Sequence, residues 1–150
     1  MGLMLIITIM GIALYAVGEV WTNAQKRAQE QELLYIGDQF RRAIKAYNRH
    51  TPTANKLQAY PASLEDLLKD PRYPTTQRYL RKIYIDPISG KAEWGVLRIA
   101  NGGIFGVYSL SGETPRKQTH FKAIDQSFEG KTKYSEWIFM PASAPPALPQ

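Results

Sequence analysis

Leu33-Leu34-Tyr35-Ile36-Gly37-Asp38-Gln39-Phe40-Arg41-Arg42-Ala43-Ile44-Lys45-Ala46-Tyr47 is the stretch on which the fold turns. Leu33, Ile36, Phe40, Ile44 and Tyr47 recur at steps of three and four residues, the spacing that stacks side chains on one face of an α-helix. Leu34 and Ala43 widen the stripe, while Asp38, Arg41, Arg42 and Lys45 fall on the opposite face. A helix striped in this way lies on a sheet or core and turns its charged side to water. The five stripe residues are therefore the expected head-packing face.

Toward the N-terminus, Glu19 to Glu32 is mostly polar and holds no proline, so the helix continues there with comparatively exposed sides. Before it, Met1 to Gly18 carries no charged side chain, which is the length and polarity of a minimal membrane span. Its apolar residues surround the helix instead of forming a stripe, which argues against a buried helix of a soluble core. The whole run predicts one helix to about Tyr47, a rod of about 70 Å. Ala16-Val17-Gly18 has the small-x-small form of a signal cleavage site, so a cleaved secretion signal is one reading. A retained anchor is favoured, because nothing basic precedes the run and cleavage severs a continuous helix. Lys26 and Arg27 follow the span and pull that side toward the cytoplasm. Either the topology is reversed or leader residues precede Met1, and the second is preferred.

Toward the C-terminus, Asn48 to Ala59 reads as a loop, with Thr51-Pro52-Thr53 ending the helix. Pro61 to Asp70 reads as a short helix closed by Pro71, and Arg78 to Ile83 as a further helical turn. Asp86-Pro87-Ile88-Ser89-Gly90 is a turn in which proline sets φ and glycine supplies a positive φ. Ala92 to Ala100 alternates as a strand, Asn101-Gly102-Gly103 signals a hairpin, and Ile104 to Leu110 is the returning strand. Residues 111–134 form a long loop pinned by Phe121, Ile124 and Phe128, followed by a short strand from Ser135 to Met140. The tail 141–150 is rich in proline and expected to be flexible. The fold class is α+β: a long N-terminal helix packed on a small antiparallel sheet.

The chain has 150 residues, a formal charge of +6 and no cysteine, so it is one domain without disulfides, thiol chemistry or Cys-based metal sites. Its lysines and arginines are scattered; Arg78 to Lys82 and Lys131 to Lys133 are the densest patches, and both read as solvated faces. His50 and His120 lie in loops without a second histidine nearby, which argues against zinc. Neither has an obvious Ser or Asp partner, Gly102-Gly103 opens a strand and not a phosphate loop, and Ser109 and Ser111 lack a nucleophile elbow. No catalytic residue is assigned and no enzyme is expected.

Certain motifs follow the long helix in a set order. Tyr60-Pro61-Ala62-Ser63-Leu64 comes first, then Tyr79-Leu80-Arg81-Lys82-Ile83-Tyr84-Ile85-Asp86-Pro87. Gly90 to Trp94, Val107-Tyr108-Ser109-Leu110 and Tyr134-Ser135-Glu136-Trp137 come after. With the N-terminal helix, this order resembles the type IV pilin-like proteins, most closely the G-type major pseudopilins of type II secretion systems. The resemblance covers about residues 1–140. It implies a transmembrane and polymerisation helix over 1–24, a globular head over 25–140 and a flexible tail over 141–150. The filament-core residues would be Leu3, Leu5, Ile6, Ile9, Gly11, Leu14, Gly18 and Trp21.

The same resemblance implies a homo-oligomeric helical filament, an inner-membrane resting state with the head in the periplasm, and assembly by a platform and an ATPase. The sequence departs from the family pattern in having neither a basic leader nor an acid within residues 1–18. Calcium is the one ion implied, in the loop after Ser109-Leu110, with Leu110 and Asp125 as candidates. Calcium takes about six to eight oxygens, and this loop offers only Glu113, Asp125, Glu129 and Glu136 among many lysines. A second functional reading is a membrane-anchored minor pilin or binding module whose basic head captures DNA or an anionic surface.

Overall fold

The chain forms α1 without a break from Gly2 to Arg49 because no proline occurs before Pro52. The computed structural model describes residues 2–52 and 59–142, and among the first twenty it describes side chains only at Ile7 and Met10. Residues 53–58 of the first loop and 143–150 of the tail lie outside the described residues. So do the side chains of the expected filament-core positions Leu3, Leu5, Ile6, Ile9, Leu14 and the glycines among them; Trp21 is 75% exposed.

Leu33, Ile36, Phe40, Ile44 and Tyr47 are all buried, and Ala43 is buried beside them. Residues 21–28 are exposed. Two polar positions depart from the expected pattern. Glu30 and Arg41 are each 4% exposed, because loops distant in the sequence supply their hydrogen-bond partners.

Opposite the stripe lies a two-stranded antiparallel sheet, β1 (Gly95–Arg98) and β2 (Ile104–Tyr108). Val96 pairs with Val107 and Leu97 with Gly106, and a bulge between Leu97 and Arg98 brings Arg98 opposite Ile104. The turn is the expected one: Gly102 has φ +85° and its N–H donates to the Ile99 carbonyl at 2.9 Å. Both strands are shorter than the alternation suggested.

Three expected elements are corrected. Pro61–Asp70 yields only a 3₁₀ turn at Glu65–Leu67, because Asp66 turns back to accept the N–H groups of Ala62 and Ser63 at 2.9 and 3.1 Å. No helical turn forms at 78–83; Tyr79 and Leu80 N–H both donate instead to the Leu67 carbonyl at 2.9 Å. The expected last strand is a 3₁₀ turn at Tyr134–Glu136 followed by an isolated bridge from Phe139 to Val107. The long loop contains a further 3₁₀ segment, Ala123–Phe128. Phe128 stacks on Trp137 with ring centroids 5.4 Å apart and Phe121 packs edge-on against both, but Ile124 faces outward at 45% exposure. Pro141 is buried, so packing extends into the start of the tail.

The motifs of the sequence meet in space. Ile104 N–H donates to the Pro61 carbonyl at 2.7 Å, and the Tyr60 ring sits edge-on to Phe105, so the Tyr-Pro segment is seated on the hairpin. The Asp86 turn is tied to the end of β2 by a buried hydrogen bond from Ser109 Oγ to Asp86 Oδ2 at 2.6 Å.

Candidate functional surface

Among the described residues, three buried polar pins join α1 to the loops. The first is Glu30. Its Oε1 accepts the N–H groups of Arg116 and Lys117 at 2.6 and 3.2 Å and the Tyr134 hydroxyl at 2.8 Å. A buried carboxylate without donors is costly, and three of them make this one tolerable. Burial, then the hydrogen bond to Glu30, pushes the Tyr134 hydroxyl well above the usual phenol range. One turn earlier, Lys26 reaches Glu113 at 3.3 Å, an exposed pair of small energetic weight.

The second pin is Arg41, which was expected on the solvated face. It donates to Asp125 Oδ1 at 2.6 Å and to the Met140 carbonyl at 3.0 Å, and lies over the Phe139 ring. Asp38 bridges to Arg42 at 2.8 Å on the exposed side.

The third pin closes the C-terminus of α1. Arg72 donates to the Tyr47 carbonyl and to Thr51 Oγ1, both at 2.9 Å, and its guanidinium lies 3.6 Å from the centroid of the Tyr47 ring. Asp70 holds it at 2.7 Å, with the two side chains 0–1% exposed. A cation here satisfies a terminal carbonyl and favours the negative end of the helix dipole. Burial raises the Asp70 carboxyl, but hydrogen bonds from Arg72 and Tyr79 outweigh it and leave the group below its ordinary value of 3.8.

Burial also pushes the Tyr47 hydroxyl up to about 12, partly opposed by Arg72. Tyr79 is pushed to about 12 by burial and by its hydrogen bond to Asp70. Phenols raised in the folded state contribute stability that is complete below their unfolded value of 10.0 and is lost as pH rises toward 12. The depressed Asp70 contributes stability that is complete above 3.8 and is lost as pH falls below it. Urea midpoints followed by tryptophan fluorescence should therefore fall on both sides of a plateau. Tyr47→Phe should make the alkaline fall shallower; an unchanged alkaline limb would remove Tyr47 as a contributor.

The calcium candidates are not assembled into an acidic site. Asp125 is engaged by Arg41, Glu113 by Lys26, and Glu136 by the N–H groups of Thr132 and Lys133, which hold its carboxyl below the usual range. Leu110 is an exposed residue beyond β2. Among the described residues no group of three His, Cys, Asp or Glu is placed to hold a metal ion.

None of the pins was singled out from sequence. Glu30 and Arg41 look like ordinary solvated charges, and no local pattern marks Asp70 and Arg72. What the pins leave open is the upstream part of α1, with Trp21, Met10 and Ile7 exposed at 75%, 64% and 63%. Among the described residues no helix is long and apolar enough to cross a membrane. The expected membrane segment, residues 1–18, lies outside that statement except at Ile7 and Met10. Compared with protein-family models, with characterised proteins and with solved structures, the chain finds no match.

Proposed function

We propose that this chain is a structural filament subunit of the pilin-like class, closest in pattern to a major pseudopilin, which assembles through the N-terminal half of α1. One observation carries the reading: α1 is continuous over 48 residues, yet its head-facing stripe begins only at Leu33. Apart from the Lys26 and Glu30 contacts the stripe stops short of the upstream residues, and the uncharged sequence of residues 1–18 needs another apolar environment. A bilayer before assembly and neighbouring helices afterwards would both supply one. In this reading the subunit rests in the inner membrane with its head in the periplasm and is drawn into the polymer by a platform and an ATPase. Copies of the chain supply the partner surface. Contacts between neighbouring heads would use Asp38, Arg42, Lys45 and Glu65, which are at least partly exposed, whereas Arg41 is buried.

Ile9→Asp should abolish assembly, because a carboxylate in the helix bundle would be desolvated without a partner. Electron microscopy after detergent removal should show filaments of constant diameter for the wild type and none for Ile9→Asp, with both heads unfolding at the same temperature. A variant that polymerises normally would overturn the proposal, and a wild type that stays monomeric would count against assembly without the platform and ATPase.

A further inference from the structure

An open groove runs along α1 on the side of the 116–125 segment. It consists of two adjoining hollows of about 810 and 550 Å³ that share Gln31, Leu34 and Lys117. The helix wall extends from Arg27 to Lys45, about 27 Å along the axis. That length accommodates about eight residues of extended chain. A hollow this long and this open suits a polymer segment better than a compact metabolite.

The charges lining it do not cancel. Glu30 is occupied by its three donors, Asp125 by Arg41, and Asp38 by Arg42. Arg27, Lys45, Arg116, Lys117 and Lys122 line the groove and, among the described residues, their side-chain cations form no salt bridge. The same walls carry apolar surface at Leu34, Tyr35 and Ile124, of which Tyr35 is 60% and Ile124 45% exposed. Cationic side chains around an apolar strip complement a segment with carboxylates and at least one apolar side chain.

From these observations we infer that the groove docks an extended acidic segment of a different protein. A second copy of this chain is a poor occupant, because its longest run of consecutive acids is two residues, Glu65-Asp66, and the other exposed acids are scattered. Nucleic acid fits less well, since the strip is partly aliphatic at Leu34 and Ile124, which give bases no aromatic face to stack on. The assignment goes beyond the filament reading and does not depend on it.

Fluorescence anisotropy on the full-length chain in non-ionic detergent tests it. The probe is a labelled octapeptide of Glu and Asp around a central Leu-Phe pair. The expected result is saturable binding that weakens with salt, falls roughly tenfold or more for Lys45→Glu/Lys122→Glu, and falls several-fold for Tyr35→Ala. Replacing Leu-Phe by Ser-Ser in the probe should weaken it comparably, while both variants keep the wild-type unfolding midpoint. Absence of saturable binding, or equal binding by the variants, would overturn the inference. So would binding of the Ser-Ser probe, octathymidylate or phosphatidylserine-doped detergent micelles as tight as that of the Leu-Phe probe. Failure to form filaments would leave this result untouched, so the two proposals fail separately.

Discussion

Arg72→Leu is expected to destabilise the head by about 3–5 kcal/mol, the largest effect of any single change considered. The guanidinium is buried with Asp70 and is hydrogen-bonded to that carboxylate, to the Tyr47 carbonyl and to Thr51 Oγ1. Removing it strands an ionised carboxylate at 0% side-chain exposure and leaves the Tyr47 carbonyl without this donor. It also strips the cation from the face of the Tyr47 ring. Asp70→Leu should be similarly severe, because it leaves the guanidinium without its counter-charge.

The double variant Asp70→Leu/Arg72→Leu should cost clearly less than the sum of the two, since neither charge is then left alone. Urea denaturation of the three variants, read through Trp94 and Trp137 in the core, measures the coupling. A loss below about 1 kcal/mol for Arg72→Leu would mean that the pair is solvated, in the range of surface ion pairs.

Gly37→Ala should destabilise by about 2 kcal/mol, although helix propensity alone predicts a gain of about 1 kcal/mol from the same change. Gly37 sits within the apolar face of α1, where the Phe139 ring packs directly onto its backbone. A Cβ placed there would lie 2.2 Å from Phe139 Cδ1, with two more ring carbons within 2.4 Å. Phe139 is fully buried and tied to Val107 through hydrogen bonds of 2.8 and 3.1 Å, so it cannot swing aside without losing its bridge to β2. Gly112→Ala, where a Cβ meets nothing within 4 Å, is the control and should be close to neutral. A stabilised Gly37→Ala would show that Phe139 repacks freely.

Local patterns made much of the fold legible. The three- and four-residue spacing from Leu33 to Tyr47 identifies the helix and its buried face because helix geometry imposes that period whatever lies opposite. Asn101-Gly102-Gly103 and Asp86-Pro87-Ile88-Ser89-Gly90 locate their turns because positive φ restricts the residues that fit. Other features depended on partners far along the chain. Glu30 finds its donors 86, 87 and 104 residues away, and Arg41 meets Asp125 across 84. No short-range pattern distinguishes these residues from exposed charges. The expected helix at 61–70 failed for a local reason: the Asp66 side chain outcompeted the backbone for the Ala62 and Ser63 N–H groups. The groove was equally illegible, since its two walls are some 80 residues apart in sequence.

The spacing of the pins has a mechanical consequence. Glu30, Arg41 and the Tyr47 carbonyl hold α1 at three levels spread over about 26 Å of its axis. A pull along the rod loads all three together in shear, so the head cannot peel off one contact at a time. In the proposed filament, assembled through the N-terminal half of α1, these three levels would carry tension from the helix into the head together.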